Sequence, residues 1–208
     1  MSETTVATPR RREATRQKLL DAAASVFAEI GVDAASVETI CERAGFTRGA
    51  FYSNFATKDE LMLALTERIA AQKIEHVTER IQELSQSGEE LAATDLVQRI
   101  LDVAMDERMG ILLTGEIRAR ALRDPALAQA YLAWQSGIIE SVAAVIDEIA
   151  DVYGLAPRLP SPDFAQLIIQ QWEDTSANAL MEGLSFPELC AVVNDRTARL
   201  ATALIDPA

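Results

Sequence analysis

The chain has 208 residues and a formal net charge of −13, with hydrophobic residues at 49% and aromatic residues at only 5%. Ala and Leu dominate, which favours packed helices over sheets, and the length admits one large domain or a small domain joined to a larger one. So acidic a chain argues against a surface that is basic throughout, and no apolar run approaches a membrane span, so the expected location is the cytoplasm, away from any membrane. Arg10-Arg11-Arg12 followed by Leu19-Leu20 imitates a signal peptide, but Asp21 and Glu29 interrupt the apolar stretch.

The charge is unevenly spread. Residues 10 to 58 hold eight Lys or Arg against six Asp or Glu, a balance of +2, whereas residues 59 to 208 hold eleven against twenty-five, a balance of −14. Only the N-terminal quarter is suited to a phosphate backbone. Cys41 and Cys190 stand far apart, with no CxxC pattern and no neighbouring His, and read as free thiols. With one histidine, His76, and no Gly-rich phosphate loop, the sequence offers no metal site, no catalytic constellation and no cofactor site. It does not read as an enzyme.

In chain order, residues 1 to 12 are expected to form a disordered basic arm, residues 13 to 58 a helix-turn-helix unit, and residues 59 to 208 a larger helical domain. Leu19, Ala23, Val26, Phe27 and Ile30 repeat at the helical period, and Gly31 ends that first helix. Ser36 caps a short helix with Val37, Ile40, Cys41 and Ala44 inward; Gly45 makes the turn, and Phe46 fills the space between two helices. Thr57 and Glu60 have capping-box spacing, and from Lys58 a helix of about 28 residues, roughly 40 Å long, carries Leu61, Leu65, Ile69, Val77, Ile81 and Leu84 inward. Further helices are expected at about Glu90 to Arg108, Ile111 to Leu122, and Pro125, behind Asp124, to Tyr153, with Gly154 closing the last. After the loop Leu155 to Pro160, Ser161-Pro162 caps a helix to about Glu182. Ser185 and Glu188 form a capping box for the last helix, Phe186 to Ile205. The fold class is all-α, with about nine helices.

The stretch Thr47 to Phe55 carries the chemistry. Thr47 is a plausible N-cap, Ala50, Phe51 and Phe55 share one face, and Arg48, Tyr52 and Asn54 are left to point outward. Arg and Asn can pair two-fold with guanine and adenine edges in the major groove, and a Tyr hydroxyl or the Lys58 ammonium can hold a phosphate. Gly49 permits close backbone approach. The run from Thr47 to Leu61, together with Ile40 to Phe46 and Leu19 to Phe27, closely resembles the tetracycline-repressor-like (TetR) family over about residues 12 to 65.

That resemblance implies a homodimer on a palindromic, double-stranded DNA operator, usually repressing nearby genes, with a small-molecule effector bound in the C-terminal body. Carried onto this chain, Ser36 and Thr47 would contact phosphates at helix starts, Arg48 would reach bases, and Tyr52 and Lys58 would hold the backbone. Position 54 is commonly His in the family and here is Asn; residue 53, often bulky, is Ser.

In the body, Met105, Met109, Tyr131, Trp134, Phe164 and Trp172 are candidates to line an effector cavity, because apolar pockets need large, adaptable walls. Glu116 follows an apolar run and must be paired, to Arg120 at i+4 or to a ligand. Two apolar stripes on the last two helices read as the dimer face: Leu167, Ile168, Leu180, Val192, Val193 and Leu200, with Ser176 small enough to let helices cross closely. The acidic balance also leaves room for a helical small-molecule binder or scaffold whose helix-turn-helix no longer binds DNA specifically.

Overall fold

A computed structural model of the chain describes residues 9–87, 95–96, 99–100 and 108–206. Eight helices are described: α1 (Pro9–Ala34), α2 (Val37–Ala44), α3 (Arg48–Tyr52), α4 (Lys58–Ser87), α5 (Arg108–Ala121), α6 (Pro125–Tyr153), α7 (Ser161–Met181) and α8 (Phe186–Ala203). The helix expected between Glu90 and Arg108 falls almost wholly outside the described residues. A two-residue antiparallel pair, β1 (Ala156–Pro157) with β2 (Ile205–Asp206), pins the end of α8 to the loop after α6. The Arg158 amide donates to the Leu204 carbonyl at 2.8 Å beside it.

The helix ends follow local chemistry. Ser36 Oγ accepts the Thr39 amide at 3.0 Å and Thr47 Oγ1 accepts the Ala50 amide at 3.2 Å. Asp124 Oδ1 accepts two amides, from Ala126 and Leu127, with Pro125 where no amide is needed. Gly45 closes α2 at φ 71°, a left-handed conformation that a side chain would strain. Two expectations are corrected. Helix α1 begins at Pro9, so Arg10 to Arg12 form its first turns rather than an unstructured arm; Pro at the first helical position fixes the φ that a helix start needs. Pro160 rather than Ser161 occupies the cap of α7, because the Ser161 hydroxyl donates across to the Asp147 carboxylate on α6.

The largest core joins the N-terminal unit to the body. Leu19, Val26, Phe27, Ile40, Phe51 and Phe55 pack with Leu61, Met62 and Leu65 of α4 and with Leu113, Ile117 and Leu127 of α5 and α6. Farther along α4, Ile81 and Leu84 join a second cluster, while α7 and α8 pack through Phe164, Ala198 and Ala201 at one end and Ala179, Leu189 and Val193 at the other.

The expected dimer residues divide. Ser176 and Val193 are buried within the chain and so are not available to a partner, while Ile168 is half-buried against the Phe164 cluster. Leu167 is exposed, and Leu180, Val192 and Leu200 are half-buried.

Asp124→Ala removes the acceptor for two amides at the start of α6. The expected cost is about 1 kcal/mol, seen as a melting temperature lower by roughly 2–4 °C in a thermal unfolding scan. An unchanged melt would show that solvent caps the helix equally well.

Candidate DNA-reading unit and effector cavity

Helices α1 to α3 form a compact unit whose shortest member, α3, is five residues long. Its inner side is a wedge of aromatic rings: Phe51 meets Tyr52 edge-on at 5.3 Å and Phe55 at 5.8 Å. Arg16 of α1 lies over the Phe55 ring at 4.3 Å and donates to the Asn54 carbonyl at 3.1 Å, holding the C-terminal end of the reading helix. On the outer side Arg48 and Tyr52 are exposed, as expected. Arg48 donates to Glu38 of α2 at 2.6 Å. The Tyr52 hydroxyl, and behind it the Glu38 carboxylate, keep the guanidinium above its ordinary pKa, so it is a cation at every working pH. Gly49 is exposed, and a methyl there would meet only Thr47 Oγ1 at 3.7 Å, so no neighbour within the chain requires a glycine.

One expected contact is corrected, and a second residue has partners within the chain. Asn54 does not point outward: α3 has ended at Tyr52, the chain turns, and Asn54 is 7% exposed with its amide donating to the Ala50 carbonyl at 2.8 Å. Its Oδ1 atom is buried without a partner. Lys58 is engaged within the chain, its ammonium donating to the Val32 and Ala35 carbonyls at 3.0 Å each. It staples the start of α4 to the end of α1 and to Ala35 just after it, which leaves one of its three N–H groups for a phosphate.

Arg120 of α5 makes a second staple. It donates to Glu116 at 2.6 Å, to Asp59 of α4 at 2.9 Å and to Asp33 in the last turn of α1 at 3.2 Å. The internal Glu116–Arg120 pair therefore holds, and it reaches beyond its own helix. Around it, Arg68 of α4 pairs with Asp21 of α1 at 2.7 Å.

Beyond these staples lies a cavity of about 270 Å³, walled by α4, α5, α6, α7 and α8. Trp134, Phe164 and Trp172 line it, as expected. Tyr131 and Met109 instead belong to the N-terminal core, Glu116 to the Arg120 network, and Met105 lies outside the described residues. Gly110 brings α5 against α4, since a methyl there would press on Ile69 at 3.2 Å.

Sequence reasoning missed the polar members of this wall: Thr66, Lys73, Thr114, Glu173 and Thr197. A signal was present. Lys73 stands in line with Ile69 and Val77 at four-residue spacing, and Glu173 in line with Ile169, so each interrupts an inward stripe. The Lys73 ammonium lies 4.1 Å from the centre of the Trp172 ring. Burial holds the Glu173 carboxyl above the usual range, opposed by Arg118, whose guanidinium stands 3.4 Å away.

A capped helix, a left-handed glycine turn and a short second helix with an exposed Arg and Tyr make a helix-turn-helix DNA-reading unit, here set on a helical body. Residues 19–65 match the model for bacterial regulatory proteins of the tetR family. Over these residues the chain is similar to the DNA-binding domain of TetR-family transcriptional regulators. It is 40% identical over 65 residues to the transcriptional repressor AcnR of Corynebacterium efficiens, a stretch covering 31% of this chain and 35% of that protein. The chain matches less than half the length of the first curated relatives, 26%, 46% and 35% of them.

Solved structures extend the likeness to the whole fold. A TetR-family regulator from Rhodococcus sp. superposes with a TM-score of 0.71 at 20% identity, covering 93% of this chain and all of that one (100%). The regulator FadR of Bacillus subtilis, solved with stearoyl-CoA, superposes with a TM-score of 0.64 at 21% identity, covering 89% of this chain and 97% of that one.

Arg48→Ala should weaken binding to a specific DNA site by about tenfold or more and relax the base preference at one position. Comparing dissociation constants on the site and on single-base variants tests this. Equal affinity and equal preference would remove Arg48 from the base contacts.

Proposed function

We propose that the chain is a ligand-responsive transcriptional repressor that binds a palindromic operator as a homodimer and leaves it when a small molecule fills the cavity. The observation that carries this reading is the division of α4. Leu61, Met62 and Leu65 belong to the core of the reading unit, while Thr66, Ile69, Lys73 and Val77 of the same helix wall the cavity. A helix cannot shift at one end and stay in register at the other without bending, so a ligand that displaces the cavity segment moves the reading unit.

Two staples transmit that movement. Lys58 ties the first turn of α4 to the end of α1 and to Ala35 just after it, and Arg120 ties α5 and α4 to the last turn of α1. Helix α5 reaches the cavity at Gly110 and Thr114 and the reading unit at Arg120, so two helices carry the displacement in parallel.

In the homodimer, the outer rows of α7 and α8, with Leu167, Leu180, Val192 and Leu200, form the partner face. They set the two reading helices about 34 Å apart, the spacing of successive major grooves. On the DNA, Ser36 and Thr47 present helix starts to phosphates, Arg48 reads bases, and Tyr52, Gly49 and the remaining N–H of Lys58 approach the backbone. Ligand binding favours a state in which the two reading helices are spread beyond groove spacing, and DNA release follows from the difference in ligand affinity between the two states.

The test is selection of bound fragments from a genomic library by the purified protein at several salt concentrations. A short palindrome recovered with steep salt dependence is the expected result. Recovery of non-specific DNA alone would sink the repressor reading while leaving the fold untouched.

Arg120→Met tests the coupling. The variant should retain binding at the cavity, followed by tryptophan fluorescence, and retain operator binding within a few fold. Several times more ligand should be needed for half-release in a gel-shift assay. Release at the wild-type ligand concentration would show that the displacement bypasses this staple.

A further inference from the structure

We infer that the effector is a neutral, elongated, lipophilic molecule carrying hydrogen-bond acceptor oxygens, rather than an organic cation or anion. This deepens the reading of the cavity as the effector site and rests on it.

The length comes first. Lining residues on α6 run from Trp134 to Ala150, which at the helical rise is about 24 Å. Most of the wall between them is aliphatic, so the ligand is long and mostly hydrocarbon.

The charges come second. Among the described residues the cavity wall carries one cation, Lys73, and one anion, Glu173. Each has a partner in place: the Trp172 ring lies under the ammonium at 4.1 Å, and Arg118 faces the carboxylate at 3.4 Å. A charged ligand would bring an unmatched charge into a wall already balanced, and desolvating such a charge is costly. A neutral ligand disturbs neither pairing.

The unpaired atoms come third. Thr197 is 3% exposed, lines the cavity, and has a hydroxyl with no partner. Trp134 also lines the cavity, and its indole N–H is buried without a partner. An indole N–H is a donor only, so what satisfies it must be an acceptor; a hydroxyl pairs with either. Buried polar atoms are nearly always satisfied, and here the missing partner is supplied by an oxygen of the ligand.

Those two atoms are well separated. Trp134 packs on Tyr131, with ring centres 5.5 Å apart, at the end nearest the reading unit. Thr197 adjoins Ala198, whose cluster includes Ile146 of α6. From Trp134 to Ile146 is roughly 18 Å along the helix. The ligand therefore carries a carbonyl-type oxygen toward Trp134 and a second oxygen well along its length toward Thr197.

The chain contains two tryptophans, and both line the cavity, so intrinsic fluorescence reports occupancy directly. The experiment titrates the full chain with four twelve-carbon probes: dodecan-2-one, dodecyltrimethylammonium and dodecanoate, each below its micellar concentration, and dodecane. The ketone should bind at least about tenfold more tightly than either ion. Trp134→Phe, followed through Trp172, should weaken the ketone several-fold and leave dodecane unchanged. Tighter binding of either ion would overturn the neutral-ligand assignment while keeping the cavity as the effector site. Equal ketone affinity in Trp134→Phe would overturn the acceptor assignment. Absence of any fluorescence change with all of the probes would remove the cavity reading itself.

Discussion

Helix α4 cannot be shared between two cores without making them answer to each other. Its first two turns supply Leu61, Met62 and Leu65 to the reading unit, and the next residue, Thr66, is buried and faces the cavity. The Thr66 hydroxyl donates to the Met62 carbonyl at 3.0 Å, so its polarity is satisfied inside the helix. Close-packed interiors transmit displacement because a side chain moved into occupied space costs energy steeply. The reading unit is small and borrows part of its core from α4, α5 and α6. It is not free to keep its orientation when those helices move.

Electrostatics sets the other half of the design. The body, at −14 over residues 59 to 208, repels phosphates, so DNA is met only by the N-terminal face. Even that face carries acids. Glu38 holds Arg48 at 2.6 Å, and both side chains are largely exposed, 48% and 61%. An exposed pair of this kind is weak and easily traded for a better partner. In the proposed contact a bidentate guanine edge is such a partner, and a sequence that cannot offer it would leave Arg48 with Glu38. The acid thus sharpens choice between sites at the expense of affinity for DNA in general.

Much of the fold was legible in the sequence because helix ends are chemically marked. Gly45 and Gly154 sit at positive φ where helices stop, Gly31 kinks α1 at a positive φ three residues before its end, and Asp124-Pro125 and Ser185-Glu188 begin helices where their spacing says they should. The outward Arg48 and Tyr52 were legible for the same reason, since they lie inside α3. Asn54 was misread because helical periodicity was carried two residues past the point where the helix ends, at Tyr52. Beyond that point the chain turns, and Phe55 is buried by the turn rather than by the period. Lys58 illustrates a different blindness. Its partners, Val32 and Ala35, are backbone carbonyls more than 20 residues away, with separations of 26 and 23, and carbonyls have no sequence signature.

The last two helices show where periodicity loses its meaning. An apolar stripe records that a face avoids water; it does not record whether the cover is the same chain or another copy. Ser176 and Val193 are covered by their own chain, and Leu167 is not, yet all three sit in the same stripes. The interruptions of a stripe carry more information than its continuity. A lysine in line with Ile69 and Val77, and a glutamate in line with Ile169, are costly in a solid core and tolerable only where the core is hollow. Lys73 and Glu173 both stand on the cavity wall. Here a charged residue breaking an inward stripe marks the hollow as the large aromatic side chains do. Of the seven side chains taken for the effector site on size, sulfur or buried charge, Trp134, Phe164 and Trp172 reach it, while Tyr131, equally large, fills solid core.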